Sequence, residues 1–113
     1  MKRLVLALLL LTLSACAPMM VQQAGQPPLG FAGPRLEADA VVSFDGARLG
    51  LSKWEAAREP WAVIVAAHGM NDYANAFHVA GPKWAQAGVT TYAYDQRGFG
   101  RSPGRGVWAG EDL

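Results

Sequence analysis

The sequence predicts an α/β domain in which a β-hairpin is followed by a βαβ unit of a mostly parallel sheet. Three observations support this fold class. The turn dipeptide Asp45-Gly46 lies between two short strand-like segments. A continuous apolar run covers residues 62–67, and a second strand-like run covers residues 89–94. An alanine-rich segment with helical features separates these runs, so strand, helix and strand fit within about thirty residues.

The hairpin comes first in the chain. We expect one strand over residues 40–44 and a second, half-buried strand in which Leu49 and Leu51 lead toward Trp54. The apolar run at Ala62–Ala67 is rich in β-branched residues, which is typical of a strand buried on both faces.

The helical segment covers residues 71–87. Gly81-Pro82 interrupts it and predicts a break or two short helices, with Pro82 accepted in a first turn. Phe77 and Trp84 are placed to share one face. Gly88 is expected to end the second helix, and Val89–Tyr94 is expected to form the next strand.

Composition excludes several classes of function. The chain has 113 residues, a formal net charge of +1 and one cysteine. A nearly neutral chain gives no reason to expect a nucleic-acid partner. A single cysteine excludes an intrachain disulfide framework and a cysteine-based zinc finger.

Residues 1–15 have the features of a secretory signal peptide. Lys2 and Arg3 precede an apolar run over residues 4–13, which is too short to cross a membrane because a spanning helix needs about 20 apolar residues. The sole cysteine follows in Leu13-Ser14-Ala15-Cys16. This string resembles the lipobox of bacterial lipoproteins, which implies that the Cys16 thiol is lipidated and becomes the new N-terminus. An ordinary signal peptide with an incidental cysteine is the alternative.

The residue after the cysteine bears on localisation. Ala17 stands where an aspartate would favour retention in the inner membrane, so the lipoprotein resemblance implies an anchor in the outer membrane that faces the periplasm. Residues 16–34 are rich in Pro, Gly and Gln and predict a solvated tether. Residues 35–113 remain to form the domain.

Two motifs follow the two predicted parallel strands. The first is His68-Gly69-Met70-Asn71, and the second is Asp95-Gln96-Arg97-Gly98-Phe99-Gly100-Arg101-Ser102. Their order and spacing resemble the α/β-hydrolase family, most closely the branch of monoacylglycerol lipases, lysophospholipases and serine-aminopeptidase-like proteins. The resemblance covers about residues 40–108 and implies the N-terminal part of an α/β-hydrolase fold, which these residues leave incomplete.

The family resemblance implies a role for the loop after the first parallel strand. In the family this loop supplies one backbone N–H to the oxyanion hole, and here the donor is Met70. His68 orients the loop in this interpretation and is not the catalytic base, while Gly69 lets the chain approach the substrate without a Cβ in the way. The alternative is a plain strand-to-helix turn with a hydrogen-bonded histidine.

Ser102 is predicted not to be the nucleophile, although Gly100-Arg101-Ser102-Pro103-Gly104 fits the pattern G-x-S-x-G. The nucleophile elbow needs an N–H from the residue after the serine, and Pro103 has none. The same proline stands where a dinucleotide fingerprint would need its third glycine.

Metal binding is not expected, because the spacing of His68, Asp72 and His78 matches no familiar ligand pattern. No histidine follows Ser102, so a nucleophile, acid and base in the order Ser, Asp, His cannot all lie within these 113 residues. Glu111-Asp112 is typical of the first turn of another helix.

The predicted function is therefore that of the N-terminal part of a membrane-anchored serine hydrolase acting on carboxylic esters, such as lysophospholipids or monoacylglycerols. We expect residues 16–113 alone to aggregate or remain molten and to hydrolyse no ester, because the Ala62–Ala67 strand would be an open edge. No cofactor is expected, and the oligomeric state stays open. Haloalkane or epoxide chemistry remains possible if the nucleophile is an aspartate. A non-enzymatic lipoprotein remains possible if the chain ends at residue 113.

Overall fold

The computed structural model of the chain describes residues 20–109, with the side chains of Trp108 and Ala109 left out of the description. The predicted leader at residues 1–15, the lipidation site at Cys16 and the helix start at Glu111-Asp112 lie outside these residues. The strands are β1 (Val21–Gln22), β2 (Arg35–Leu36), β3 (Ala40–Val42), β4 (Arg48–Trp54), β5 (Ala62–Ala67), β6 (Val89–Tyr94) and β7 (Trp108–Ala109). A 3₁₀ helix (Ala74–Phe77) and the α-helix α1 (Ala80–Gln86) connect β5 to β6.

The predicted hairpin is confirmed. Strands β3 and β4 pair antiparallel, with Val41 opposite Leu49. The turn between them is closed by the Ser43 N–H, which donates to the Ala47 carbonyl at 2.8 Å. Gly46 has φ +83°, a left-handed conformation that glycine adopts at no steric cost. The Asp45-Gly46 dipeptide therefore fixes where the chain reverses.

The predicted βαβ unit is also confirmed. Strands β5 and β6 are parallel, in register from Ala62 opposite Val89 to Ala67 opposite Tyr94. The order in the five-stranded sheet is β2-β3-β4-β6-β5. Strand β6 thus lies between the antiparallel hairpin and its parallel partner, which makes the sheet mixed.

Two short helices form where the sequence predicts an interruption. Pro82 is the third residue of α1, where the missing N–H breaks no intrahelical hydrogen bond. Gly81 lies against the indole of Trp54, so closely that a Cβ at this position would be 2.3 Å from the ring. Gly88 follows the helix with φ +84°, as expected for a helix stop.

The core lies between the helices and one face of the sheet. Small buried side chains from β5, the 3₁₀ helix and β6 form its centre: Ala66, Ala74 and Ala93. The larger side chains of Trp54, Ile64 and Phe77 pack around them. The Phe77 and Trp84 rings are 6.4 Å apart between centroids, so the predicted shared face is formed.

The expectation that β5 is buried on both faces is wrong for the described residues. Val63 and Val65 are 57% and 74% exposed, whereas Ala66 on the opposite face is buried. The physical reason is that the described helices pack on the face of β5 that carries Ala66, so the face that carries Val63 and Val65 is left uncovered. An apolar run indicates that a strand can be buried on both faces. Whether it is buried depends on the elements that pack against it.

The proline-rich segment contacts the domain through β1, through Gln22 and Gly25, and through Pro28, whose ring lies against Gly46. Strand β1 pairs in parallel with β7, with Val21 opposite Trp108. The Gly25 N–H donates to Asp45 Oδ2 at 3.1 Å. Residues 26–30 are exposed, whereas Gln22 and Gly25 hydrogen-bond to the domain.

Candidate active site

The two motif loops meet at the carboxyl-terminal edge of the parallel strands. One loop follows β5 and the other follows β6, and an open cleft of about 560 Å³ lies between them. In open α/β sheets, ligands bind at this edge. The cleft is lined by Asn71, Asp72, Tyr73, Gly98, Phe99, Gly100, Arg101, Arg105 and Gly106.

His68 is buried at the root of the first loop and uses both ring nitrogens. Its Nδ1 lies 2.8 Å from the Gly69 carbonyl, which can only accept a hydrogen bond, so Nδ1 carries the proton. Its Nε2 accepts from the Gln96 N–H at 2.9 Å, and Gln96 Nε2 donates to the His68 carbonyl at 2.5 Å. His68 therefore connects the two loops, and neither ring nitrogen is available for a substrate proton.

Gly69, Met70 and Asn71 form the exposed turn after His68. The Asp72 N–H donates to the Gly69 carbonyl at 3.3 Å, and Asn71 has φ +62°, which Asn tolerates better than most residues. Within residues 20–109, no hydrogen bond satisfies the Met70 N–H. A Cβ at Gly69 would meet only open space. Neither crowding nor an unusual φ requires glycine at position 69.

Asp95 holds the two loops together from below the cleft. Its side chain is fully buried, and its carboxylate accepts hydrogen bonds from the Ala74 N–H at 2.7 Å and the Arg101 N–H at 2.9 Å. Arg101 Nε adds an ion pair at 3.0 Å. Burial alone would raise the pKa of Asp95, but these donors and the guanidinium charge outweigh it, so its pKa lies below the ordinary 3.8.

Two glycines make room for this carboxylate. A Cβ at Gly50 would lie 2.6 Å from Asp95 Oδ2, and a Cβ at Gly100 would lie 2.5 Å from the carboxyl carbon. Gly100 also has φ +52°. The need for glycine at position 100, the second glycine of the Gly-x-Gly motif, is thus explained by the buried Asp95 carboxylate and not by a bound phosphate.

Ser102 is a structural residue in this arrangement. It is buried, its hydroxyl donates to the main-chain carbonyl of Asp95, and its Oγ accepts from the Gly50 N–H at 3.1 Å. A serine that is engaged as both donor and acceptor beneath the loop is not presented to a substrate. This geometry supports the prediction that Ser102 is not a nucleophile.

A buried ion pair lies behind the second loop, and sequence reasoning missed it. Arg97 Nη2 lies 2.5 Å from Asp45 Oδ1, with both side chains at most 5% exposed. Burial alone would raise the pKa of Asp45, but the bond from Arg97 and the N–H groups of Ala47 and Gly25 lower it below 3.8. The pair fixes the hairpin turn to the loop after β6. Its members are 52 positions apart in the sequence, so no local pattern could indicate the pair.

The described residues hold no group of three or more His, Cys, Asp or Glu side chains that could bind a metal ion. Between Met20 and Ala109, no helix has the length and apolar character needed to cross a membrane.

Comparison with known proteins agrees with this architecture. Residues 58–112 match the family model described as serine aminopeptidase, S33. A monoacylglycerol lipase of Mycolicibacterium smegmatis (strain ATCC 700084 / mc(2)155) is 37% identical over 68 residues, which cover 60% of this chain and 24% of that protein. The chain thus spans about a quarter of the length of this curated relative.

The hairpin, the βαβ unit and the two motif loops define an α/β-hydrolase fold, of which the described residues form an incomplete N-terminal part. The family match and this relative support the chain as a fragment of the α/β-hydrolase family.

Proposed function

We propose that this chain supplies the N-terminal part of a membrane-anchored hydrolase that cleaves carboxylic esters through an acyl-enzyme. The proposal rests on the cleft at the carboxyl ends of β5 and β6. One wall of this cleft begins at Asn71, the residue directly after Met70. An acyl-transfer site needs a rigid backbone donor beside an open cavity. The His68–Gln96 hydrogen bonds supply that rigidity.

Met70 is the proposed oxyanion donor. Its N–H is free of other partners among the described residues, and the adjacent Gly69 leaves open space where a Cβ would stand. A donor held in place before the reaction stabilises the negative charge that develops on the carbonyl oxygen without a cost of reorganisation. His68 and Gly69 shape this turn and take no part in proton transfer.

The proposed substrate is a lipid ester of the monoacylglycerol or lysophospholipid type. The relationship to a monoacylglycerol lipase supports this class. A lipid anchor at Cys16, in the outer membrane and facing the periplasm, would bring the site to such substrates, since multiple acyl chains give stable attachment. The proposed nucleophile, acid and base are not among these 113 residues, and we expect this chain alone to be inactive.

The test is labelling of the full-length protein with a fluorophosphonate probe, together with hydrolysis of monoolein and of a soluble short-chain ester. Labelling at a serine other than Ser102, lost when that serine is replaced by alanine, is the expected result. Absence of both labelling and hydrolysis would favour the non-enzymatic lipoprotein. Hydrolysis of an epoxide or haloalkane through an aspartate would replace the acyl-transfer mechanism.

Lipidation is tested separately by incorporation of a labelled fatty acid in bacterial cells. The wild-type protein should carry the label and sediment with the outer membrane, whereas Cys16→Ser should carry none. Incorporation that survives Cys16→Ser would contradict the proposed anchor.

A further inference from the structure

Gln22 reaches from the proline-rich segment to the loop that forms one wall of the cleft. Its Nε2 lies 3.3 Å from the Pro103 carbonyl, 3.2 Å from that of Gly104 and 3.1 Å from that of Val107. An amide nitrogen has only two hydrogens, so the three acceptors share them. The three carbonyls flank Arg105 and Gly106, both of which line the cleft.

The loop is shaped to receive this side chain. Gly104 has φ +73°, and a Cβ there would lie 2.1 Å from Gln22 Nε2. Gly98 donates its N–H to the Pro103 carbonyl at 3.0 Å, and Gly106 donates to Gly98 at 3.0 Å. Pro103 is therefore an acceptor both for its own loop and for Gln22, and the parallel pairing of β1 with β7 continues the contact.

A second attachment lies three residues further along the segment. The Gly25 N–H bonds to Asp45, whose other carboxylate oxygen pairs with buried Arg97. Arg97 directly precedes Gly98, which lines the cleft. Residues 21–25 are thus bonded at both ends to structures that support one wall.

We propose that residues 21–25 are a strap that fixes the Arg105 wall of the cleft, with Gln22 as the positioning residue, and that the strap holds the cleft close to the membrane anchor. The second part rests on the proposed lipidation of Cys16. The first part rests only on the contacts of Gln22 and Gly25.

The strap changes the reach of the anchor. If residues 16–34 were a free tether, their contour would allow a separation of about 65 Å between the lipid and the domain. With Gln22 docked, only five residues lie between it and Cys16, and these six Cα-to-Cα steps span at most about 20 Å. A cleft held this near takes its substrate from the membrane that carries the anchor, which narrows the substrate source to lipids of that leaflet.

Docking of the strap is tested by hydrogen exchange in the full-length protein. In Gln22→Ala, the amides of Gly106 and Val107 should exchange about tenfold faster, because the support of their loop is lost. Gln23→Ala is the matched control, since Gln23 is exposed and makes no described contact. Exchange within twofold of the wild type in Gln22→Ala would overturn the strap. This measurement does not depend on lipidation or on any enzymatic activity.

The distance to the membrane is tested with two insertions. A Gly-Ser segment of about ten residues is placed between Met19 and Met20, before the strap, or between Gln26 and Pro27, after it. A dye on Ala76→Cys, at an exposed position near the cleft, reports energy transfer to labelled lipids in phosphatidylethanolamine–phosphatidylglycerol vesicles. Transfer should fall with the first insertion and stay unchanged with the second.

The asymmetry is the decisive result, because an undocked segment would be lengthened equally by either insertion. Equal losses would overturn the proposal. In a Gln22→Ala background the second insertion should also reduce transfer. Failure of the lipid-modified protein to bind vesicles would contradict the proposed anchor instead, and the exchange measurement would still decide the strap.

Discussion

The carboxylate of Asp95 accepts the backbone N–H of Ala74 at 2.7 Å and thereby joins the two loops that form the cleft. Ala74 begins the 3₁₀ helix after the Met70 turn, while Asp95 itself begins the loop after β6. The hydrogen bond therefore fixes the position of the first loop relative to the second. Because the carboxylate is buried and charged, this connection depends on its ionisation.

Asp95→Asn should remove that connection while it keeps the shape of the side chain. We expect a loss of about 3 kcal/mol in the free energy of unfolding, because an amide nitrogen replaces an oxygen that accepts charge-assisted hydrogen bonds. Asp39→Asn, at a side chain that is 77% exposed and paired with Arg48, is the control and should cost less than about 0.5 kcal/mol. Urea unfolding of the full-length protein measures both.

The stability of the wild type and that of Asp95→Asn should respond differently to acid. The pKa of Asp95 is lower in the folded state than its ordinary 3.8, so the ionised carboxylate stabilises the fold above pH 3.8. This contribution disappears as the pH falls through the lower folded value. The stability difference between wild type and Asp95→Asn should shrink over that range. A difference that stays constant from neutral to acidic pH would contradict the assignment.

Gly69→Ala separates function from folding. A Cβ at position 69 meets open space, so stability should change by less than about 0.5 kcal/mol. Hydrolysis by the full-length protein should fall, because the methyl group would occupy room beside the proposed oxyanion donor. Gly81→Ala is the opposite control, since its Cβ would be 2.3 Å from the Trp54 ring and should destabilise the fold by at least about 2 kcal/mol. Unchanged kcat in Gly69→Ala would count against the site.

Met70→Pro removes the proposed oxyanion N–H, which no other side-chain change can do. The expected result is a loss of about 10²–10³ in kcat. Met70→Ala retains the N–H and should keep kcat within about threefold of the wild type. Unfolding curves for both variants establish that the fold persists. If Met70→Ala lowers kcat as much as Met70→Pro does, the Met70 side chain and not its backbone N–H is what catalysis requires.

Ser102→Ala should lower stability and spare catalysis. The substitution leaves the buried Gly50 N–H without its acceptor, at a cost of about 1–3 kcal/mol. Fluorophosphonate labelling at a temperature where the variant is folded should equal that of the wild type. Loss of labelling in a folded Ser102→Ala protein would show that this serine is the nucleophile after all.

Local signals account for what the sequence predicted correctly. Asp45-Gly46 specifies a turn by its own conformational preferences, and Gly81-Pro82 interrupts a helix in the same way. Residues 62–67 and 89–94 became strands within one residue of the expected bounds, because their apolar character needs no distant partner to be recognised. The oxyanion role of Met70 and the anchor at Cys16 stay predictions.

The missed features all depend on distant partners. Gln22 bonds to carbonyls more than eighty residues away, and Arg97 pairs with Asp45 across the sheet. Nothing in a Pro- and Gln-rich composition distinguishes a docked glutamine from a solvated one. The exposure of Val65 on β5 is similar, because it depends on which strands and helices are present beside it.

The place of β6 between β4 and β5 has a consequence for synthesis on the ribosome. Of the five strands in this sheet, β6 is made last, yet both β4 and β5 need it as a neighbour. Until residue 94 leaves the exit tunnel, the nascent chain holds a hairpin and an unpaired valine-rich segment that cannot yet meet. Slow translation while β5 has left the tunnel and β6 has not should therefore prolong the stage at which chaperones bind this chain.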